Sequence, residues 1–305
     1  MASPHAREPY ISTDDLRFLL SVARTGRLVS AGTLLGVDHT TVKRRLDRLE
    51  AALGVRLLDR GADGWELTAI GREVANRSAS LEHIVERVAD AASGSSDSLR
   101  GTVRIAAPDG FGTMFVAPAL ARLQAEHPGV TVELVTSTKP LSLRGSGYDL
   151  AVTVGSSANA RLTAEPLADY ALRLYASPAY LGSRPAITSI ADLDSHPLVF
   201  YVDALLTVRE LDLAPVLGGM HVGFGSTNVF AQLEATRHGA GIGLIHAFMG
   251  EHDPALVPVL PAEVDFRLQF SLSARRDSLA LDSVAAVRDA IRREVRERAD
   301  ELIPA

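Results

Sequence analysis

The chain has 305 residues and no cysteine. The absence of cysteine excludes disulfides, thiolate catalysis and cysteine-ligated metal, and it is compatible with a reducing cytosol. No run of about 18 apolar residues is present to span a membrane. The opening MASPHAREPY carries no apolar core after its charges, so no export signal is expected and the cytoplasm is the expected location. The nine histidines are scattered with no pair at i, i+4, so neither a metal site nor a cofactor is expected. No G-x-S-x-G nucleophile motif and no phosphate loop occurs, which argues against an enzyme. A transport-type binding protein would need export. The net charge of −6 argues against a surface that binds nucleic acid all over.

Positive charge is instead local. Between residues 39 and 60, Lys43, Arg44, Arg45, Arg48, Arg56 and Arg60 outnumber Asp47, Glu50 and Asp59, six against three. Within this stretch Val42, Leu46, Leu49 and Leu53 recur at four, three and four, one apolar stripe of a helix. Asp38 is a suitable N-cap for it. The other face presents His39, Thr40, Lys43, Arg44 and Asp47. A short helix carrying Ala31, Leu34 and Leu35 on its inner side precedes it, joined by a turn at Gly36-Val37. Ser12 to Asp15 read as a capping box opening an earlier helix, with Leu16, Leu19, Leu20 and Ala23 on one face. Extended runs at 54–58 and 65–68 flank a Gly-Asp-Gly turn, as in a hairpin wing that brings Arg60 to a phosphate. An ordinary surface helix would also show a basic face. The neighbouring elements favour a helix-turn-helix whose recognition helix enters a major groove, with His39, Thr40, Thr41, Lys43, Arg44, Arg45 and Arg60 contacting DNA.

These residues resemble the LysR-type transcriptional regulators. The likeness rests on Ala31-Gly32 with Leu35-Gly36-Val37, on Leu49-Glu50-x-x-Leu53-Gly54-Val55-x-Leu57-Leu58-x-Arg60, and on Leu67-Thr68-x-x-Gly71. The family often has Ser, Gln, Pro and Ser where this chain has Asp38, His39, Thr40 and Lys43. The scaffold therefore carries over and the base preference does not. After the wing, Ile70, Val74, Arg77, Leu81, Ile84, Val88 and Ala91 form a heptad seam interrupted by Arg77. It reads as a dimerising linker helix in preference to a helix packed on its own domain. The Ser-Gly-rich run 93–98 follows as a hinge.

From Leu99 the pattern alternates strands and helices. Strands are expected at 102–106, 130–135, 148–154, 172–176, 198–201, 242–245 and 266–273, and helices at 115–126, 229–238 and 283–298, with a loop at 108–112. This pattern implies parallel sheets with helices on both faces and a ligand beyond the strand ends. Gly239-x-Gly241-x-Gly243 has a helix before it and a strand after it, so it reads as a helix end and not a dinucleotide loop.

This half also resembles the LysR-type effector domain, through Leu99-Arg100-Gly101-x-Val103-Arg104-Ile105, Ala107-Pro108-x-x-Phe111-Gly112, Gly147-Tyr148-Asp149-Leu150-Ala151-Val152 and Gly239-Ala240-Gly241-Ile242-Gly243-Leu244, among other segments. The resemblance implies an α/β protein of three parts. A winged helix-turn-helix occupies 10–68, a linker helix 69–94, and a periplasmic-binding-protein-like effector domain 95–305. Its subdomains are about 101–163 with 267–305, and about 164–266. It further implies a dimer or dimer of dimers on an inverted repeat of double-stranded DNA, and a small-molecule effector in the cleft. Polar residues at strand ends and a helix start mark that cleft: Pro108, Asp109, Gly110, Thr136, Ser137, Tyr201, Asp203, Ser226, Thr227 and Asn228. Asp109 opposes an anion there, leaving the ligand's charge open. His246 stands where the family usually has Pro, either against the ligand or towards solvent.

Overall fold

The computed structural model describes residues 11–61, 64–75, 77–78, 81, 84–85, 99–136, 148–155, 162–202, 219–275 and 278–304. They fall into two compact units that divide between residues 98 and 99. Among the described residues no helix is long and apolar enough to cross a membrane.

The first unit opens with α1 (Thr13–Thr25), α2 (Leu28–Leu35) and α3 (His39–Leu53). Asp38 begins α3 as the spacing predicts, its carboxylate accepting from the Thr40 amide at 2.8 Å. The stripe of α3 is buried as expected, with Val42 and Leu46 at 0% exposure. Two expectations fail in the earlier helices. Leu34 is 53% exposed, because the inner side of α2 is Leu28, Ala31 and Gly32. Ala23 is exposed too, and Phe18 and Val22 join the core in its place. Ser12 precedes α1, but its side chain makes no capping bond. Asp15 is turned inward, where its carboxylate accepts from Arg45 at 3.1 Å and from Arg48 at 2.8 and 2.9 Å.

The wing is a two-stranded antiparallel hairpin of β1 (Leu58–Gly61) and β2 (Gly64–Leu67), pairing Arg60 with Trp65. Glu50 of α3 anchors its base by accepting from the Leu57 and Leu58 amides at 2.6 and 2.9 Å. The Thr68 hydroxyl then accepts from Gly71 at 2.9 Å, opening the next helix. A Cβ at residue 71 would lie 2.2 Å from the Leu57 carbonyl oxygen, so only glycine lets this helix start so close to the strand. These bonds give a physical basis to the Leu-Glu and Leu-Thr-x-x-Gly signatures.

Residues 69–75, 77–78, 81 and 84–85 are helical. Val74 and Leu81, expected in a seam facing a second chain, are half-buried against the core of the same unit. Ile70, Ile84 and Val85 are 51%, 42% and 60% exposed. Val88 and Ala91 lie outside the described residues.

The second unit is built on one sheet in the order β4-β3-β5-β11-β6-β9-β7-β8, with β10 also paired to β6. Its strands are β3 (Gly101–Ala107), β4 (Val130–Thr136), β5 (Leu150–Val154), β6 (Leu162–Ala176), β7 (Leu198–Phe200), β8 (Val222–Gly225), β9 (Ile242–His246), β10 (Val257–Val259) and β11 (Asp265–Arg275). Its main helices are α4 (Ala117–Glu126), α5 (Val229–Arg237) and α6 (Asp282–Glu297). Two parallel groups, β4-β3-β5 and β9-β7-β8, stand at opposite ends. The long antiparallel pair β6 and β11 joins them, so the sheet is mixed and not purely parallel. The first ten residues of β6 mix apolar and polar side chains around Pro166 without sustained alternation, which hides them from strand periodicity. Partnership with β11 makes them a strand, with the ladder irregular opposite Pro166 where proline cannot donate. The expected loop at 108–112 is helical instead. Asp109–Phe111 runs through a π-turn at Gly112–Val116 into α4.

Candidate functional site

At 100° per residue, His39, Thr40, Lys43, Arg44 and Asp47 span about 140° of α3, opposite the buried stripe. His39, Thr40, Arg44 and Asp47 are exposed, while Lys43 and Thr41 are half-buried. The Thr40 hydroxyl and then its amide hold the Asp38 carboxyl below its usual range. The basic residues of α3 differ in what they touch. Lys43 is paired with Asp47 and sits 4.6 Å from the ring centroid of Trp65. Arg45 is bound to Asp14 and Asp15 at 3.1 Å and lies over Phe18. Arg48 is bound to Asp15. Arg44 alone of the four has no partner among the described residues. The structure therefore places Arg45 against α1 and not beside Arg44, a correction to its assignment as a DNA contact. One residue further along the helix turns a side chain by about 100°.

Sequence reading missed Trp65, the chain's only tryptophan. Arg60 stacks on its ring at 5.5 Å, so the ring takes one cation from the wing and one from α3. The register opposite Arg60 was the available signal.

In the second unit the residues at the strand ends converge. Asp109 stands beyond the end of β3, separated from it by Pro108, and Asn228 precedes α5. The Asn228 amide donates to the Asp109 carboxylate at 3.2 Å, across 119 positions of sequence. The Thr136 hydroxyl at the end of β4 also bonds that carboxylate, and partial burial raises the carboxyl above its ordinary range. Asn228 caps α5 with its other end, accepting from the Ala231 amide at 3.0 Å. The Ser226 hydroxyl accepts from the backbone N–H of Asn228 at 3.1 Å, and the backbone N–H of Ser226 donates to the Phe200 carbonyl. Burial, and then the charge of Asp109, push the Tyr201 phenol up. Pro108 accepts from the Gly112 amide at 2.7 Å. Gly110 is buried, and a Cβ there would meet Met249 at 3.2 Å and Val229 at 3.3 Å. Thr227 is half-buried between Ser226 and Asn228. Ser137 and Asp203 lie outside the described residues.

His246 is neither rim nor solvent group. It is 8% exposed, stacked on Tyr170 at 5.4 Å and tilted against Phe248 at 5.0 Å. Burial lowers its imidazole to about 4. Position at the end of β9 left both the rim and solvent open, but pairing of His246 with Leu172 and ring contacts with Tyr170 and Phe248 draw it inward, beside the cluster of Phe111, Phe115 and Phe270. The glycine run behaves as expected, with Gly239 at φ +77° between α5 and β9.

Residues 13–72 match the family model of the bacterial regulatory helix-turn-helix protein, lysR family, and residues 96–296 match the LysR substrate binding domain. The chain belongs to the LysR-type transcriptional regulators. Among curated relatives, AbaB of Streptomyces antibioticus is 29% identical over 295 residues, covering 91% of this chain and 96% of AbaB. A regulator from Xanthomonas campestris pv. campestris is 29% identical over 55% of this chain, and the match spans only 49% of that relative. Full-length CbnR complexed with its target DNA superposes with a TM-score of 0.61 over 93% of this chain and all of CbnR, at 19% identity. Corynebacterium glutamicum LysG with bound effector arginine gives 0.64 over 94% of this chain and 99% of LysG, also at 19% identity. The fold is thus shared with full-length members of the family, and the family is one of regulators and not enzymes.

Proposed function

We propose that this LysR-type regulator reads an inverted repeat in double-stranded DNA and answers to a small molecule held between the two α/β subdomains. The DNA-reading part is 10–68, the linker helix 69–94 and the effector part 95–305, acting in the cytoplasm as a dimer or a dimer of dimers. His39, Thr40 and Arg44 face base edges, Thr41 supports them, and Lys43 and Arg60 approach the backbone together through Trp65. The observation that carries this is the sorting of cations on α3. Arg45 and Arg48 are bound to Asp15 of α1, while Lys43 and Arg44 stand on the face that carries His39 and Thr40. That is the arrangement of a recognition helix that positions by charge and reads with its N-terminal turns. LysG, of the same fold, holds arginine as effector, and CbnR binds target DNA. Here Pro108, Asp109, Gly110, Thr136, Ser137, Tyr201, Asp203, Ser226, Thr227 and Asn228 are the effector set.

The test is to sequence genomic fragments retained by the full chain, then to measure occupancy of the enriched site while screening metabolites. Enrichment of a palindromic site whose occupancy changes with one metabolite is expected. Retention without any sequence preference overturns the DNA reading. A preference that no metabolite alters overturns the effector reading alone.

A further inference from the structure

The cleft group with the strongest chemical character is Asp109. Both donors that reach its carboxylate, the Thr136 hydroxyl and the Asn228 amide, are neutral. Among the described residues Asp109 forms no ion pair with any Lys, Arg or His. Asn228 cannot turn its oxygen towards Asp109 without losing the cap on α5, because that oxygen accepts from Ala231. Tyr201 stands close enough for the charge of Asp109 to oppose ionisation of its phenol, so the hydroxyl stays neutral beside the carboxylate. The floor is apolar, made where Gly110 meets Val229 and Met249. The result is a partly desolvated carboxylate whose charge no cation among the described residues neutralises, at the junction of the two subdomains. A carboxylate offers about four acceptor sites, and two donors occupy only part of them.

We propose that the effector presents a primary ammonium group to Asp109. An ammonium supplies three donors and a positive charge, which match an acceptor-only group in a site that water only partly screens. A ligand carboxylate in the same place would meet a like charge that is partly desolvated. An ammonium at Asp109 also competes with the Asn228 amide, so binding alters the bond that joins the two subdomains. The proposal rests on the cleft being the effector site, and it adds the chemical class.

The experiment uses the full chain. Thermal unfolding and calorimetry are run with a panel of primary amines and amino acids and with carboxylates and diols of the same chain length, for example 1,5-diaminopentane, 5-aminopentanoate, pentanedioate and 1,5-pentanediol. Amine-bearing compounds are expected to bind, and Asp109→Asn to weaken the best of them at least tenfold. Asp109→Glu, which keeps the charge, is expected to retain the preference for amines over diols, and it guards against a folding defect in the Asn variant. Binding of the dicarboxylates as tightly as the amines overturns the proposal, as does amine binding unchanged in Asp109→Asn or no binding by any amine. An anionic compound that binds and changes DNA occupancy would overturn the ammonium assignment while leaving the effector reading intact.

Discussion

The Lys43 ammonium lies 4.6 Å from the centroid of Trp65, and Arg60 reaches the same ring at 5.5 Å. One aromatic side chain thus links the recognition helix to the wing. Trp65 is the only tryptophan, so its emission reports on this joint alone. Lys43→Ala is expected to shift the emission of the DNA-free protein, and Arg44→Ala to leave it unchanged. An exposed cation–π contact of this kind contributes about 0.5–1 kcal/mol. Identical spectra for the wild type and Lys43→Ala would show that the ring and the ammonium do not meet in solution.

The cations of α3 divide into readers and struts. Arg44→Ala is expected to weaken operator binding and, where a phosphate contact is lost, to lower the log–log salt slope by roughly 0.9. Arg45→Ala is expected to keep that slope and to reduce stability, because Asp15 is only 2% exposed and loses one of its two guanidinium partners. A loss of roughly 1–3 kcal/mol is the scale for a buried charged acceptor left short of a donor, and Arg48 keeps it near the lower end. Binding titrations at several salt concentrations, with urea unfolding followed at Trp65, separate the two. Equal effects of both substitutions on the slope would contradict the division.

Among the described residues of the linker helix the exposed apolar side chains are Ile70 near its start and Ile84 and Val85 further along, while Leu81 packs on its own unit. Ile84→Asp is therefore expected to weaken self-association, since a charge would be buried wherever a second helix covers that face. Leu81→Asp is expected instead to destabilise the DNA-reading unit. Sedimentation velocity distinguishes dissociation from unfolding, and an unchanged oligomer with Ile84→Asp would place the contact elsewhere.

His246 makes the effector unit acid-sensitive. Its imidazole is lowered by burial from the ordinary 6.5 to about 4. As pH falls below about 6.5 the unfolded chain takes up the proton first, so stability is lost progressively from there down to about 4 and is complete above 6.5. The gap is worth about 3 kcal/mol, at about 1.4 kcal/mol for each factor of ten in the proton equilibrium. His246→Leu is expected to reduce the drop in stability between pH 7 and pH 4.5, both approximate working values around this window. Parallel pH profiles for the two proteins would contradict the assignment.

The recognition helix was legible in the sequence because its signals are local. A four-three-four apolar spacing, an aspartate at the cap and a basic face each depend on neighbours within a turn or two, and α3 follows them residue by residue. Glycines and strand patterns likewise marked β3, β4, β9 and α5 close to where they stand. Family motifs at Glu50, Thr68 and Gly71 were visible as letters, and the structure supplied their reasons.

What the sequence by itself determined is that the segments with a clear period become helices or strands, and for α3 which face is apolar, since backbone propensity and periodicity act over a few residues. Only the tertiary structure decided which polar groups meet. The first half of β6 becomes a strand because β11 pairs with it. Arg44 and Arg45 are adjacent letters, yet the direction of α1 sends one to Asp15 and leaves the other exposed. Asp109 and Asn228 lie 119 positions apart, and no local rule joins them. His246, at the end of β9, could by position face either the ligand or solvent, and contact with the rings of Tyr170 and Phe248 drew it inside. Contacts of that kind depend on how whole elements pack, and side-chain direction on a helix or strand becomes a partner only when another element arrives to receive it.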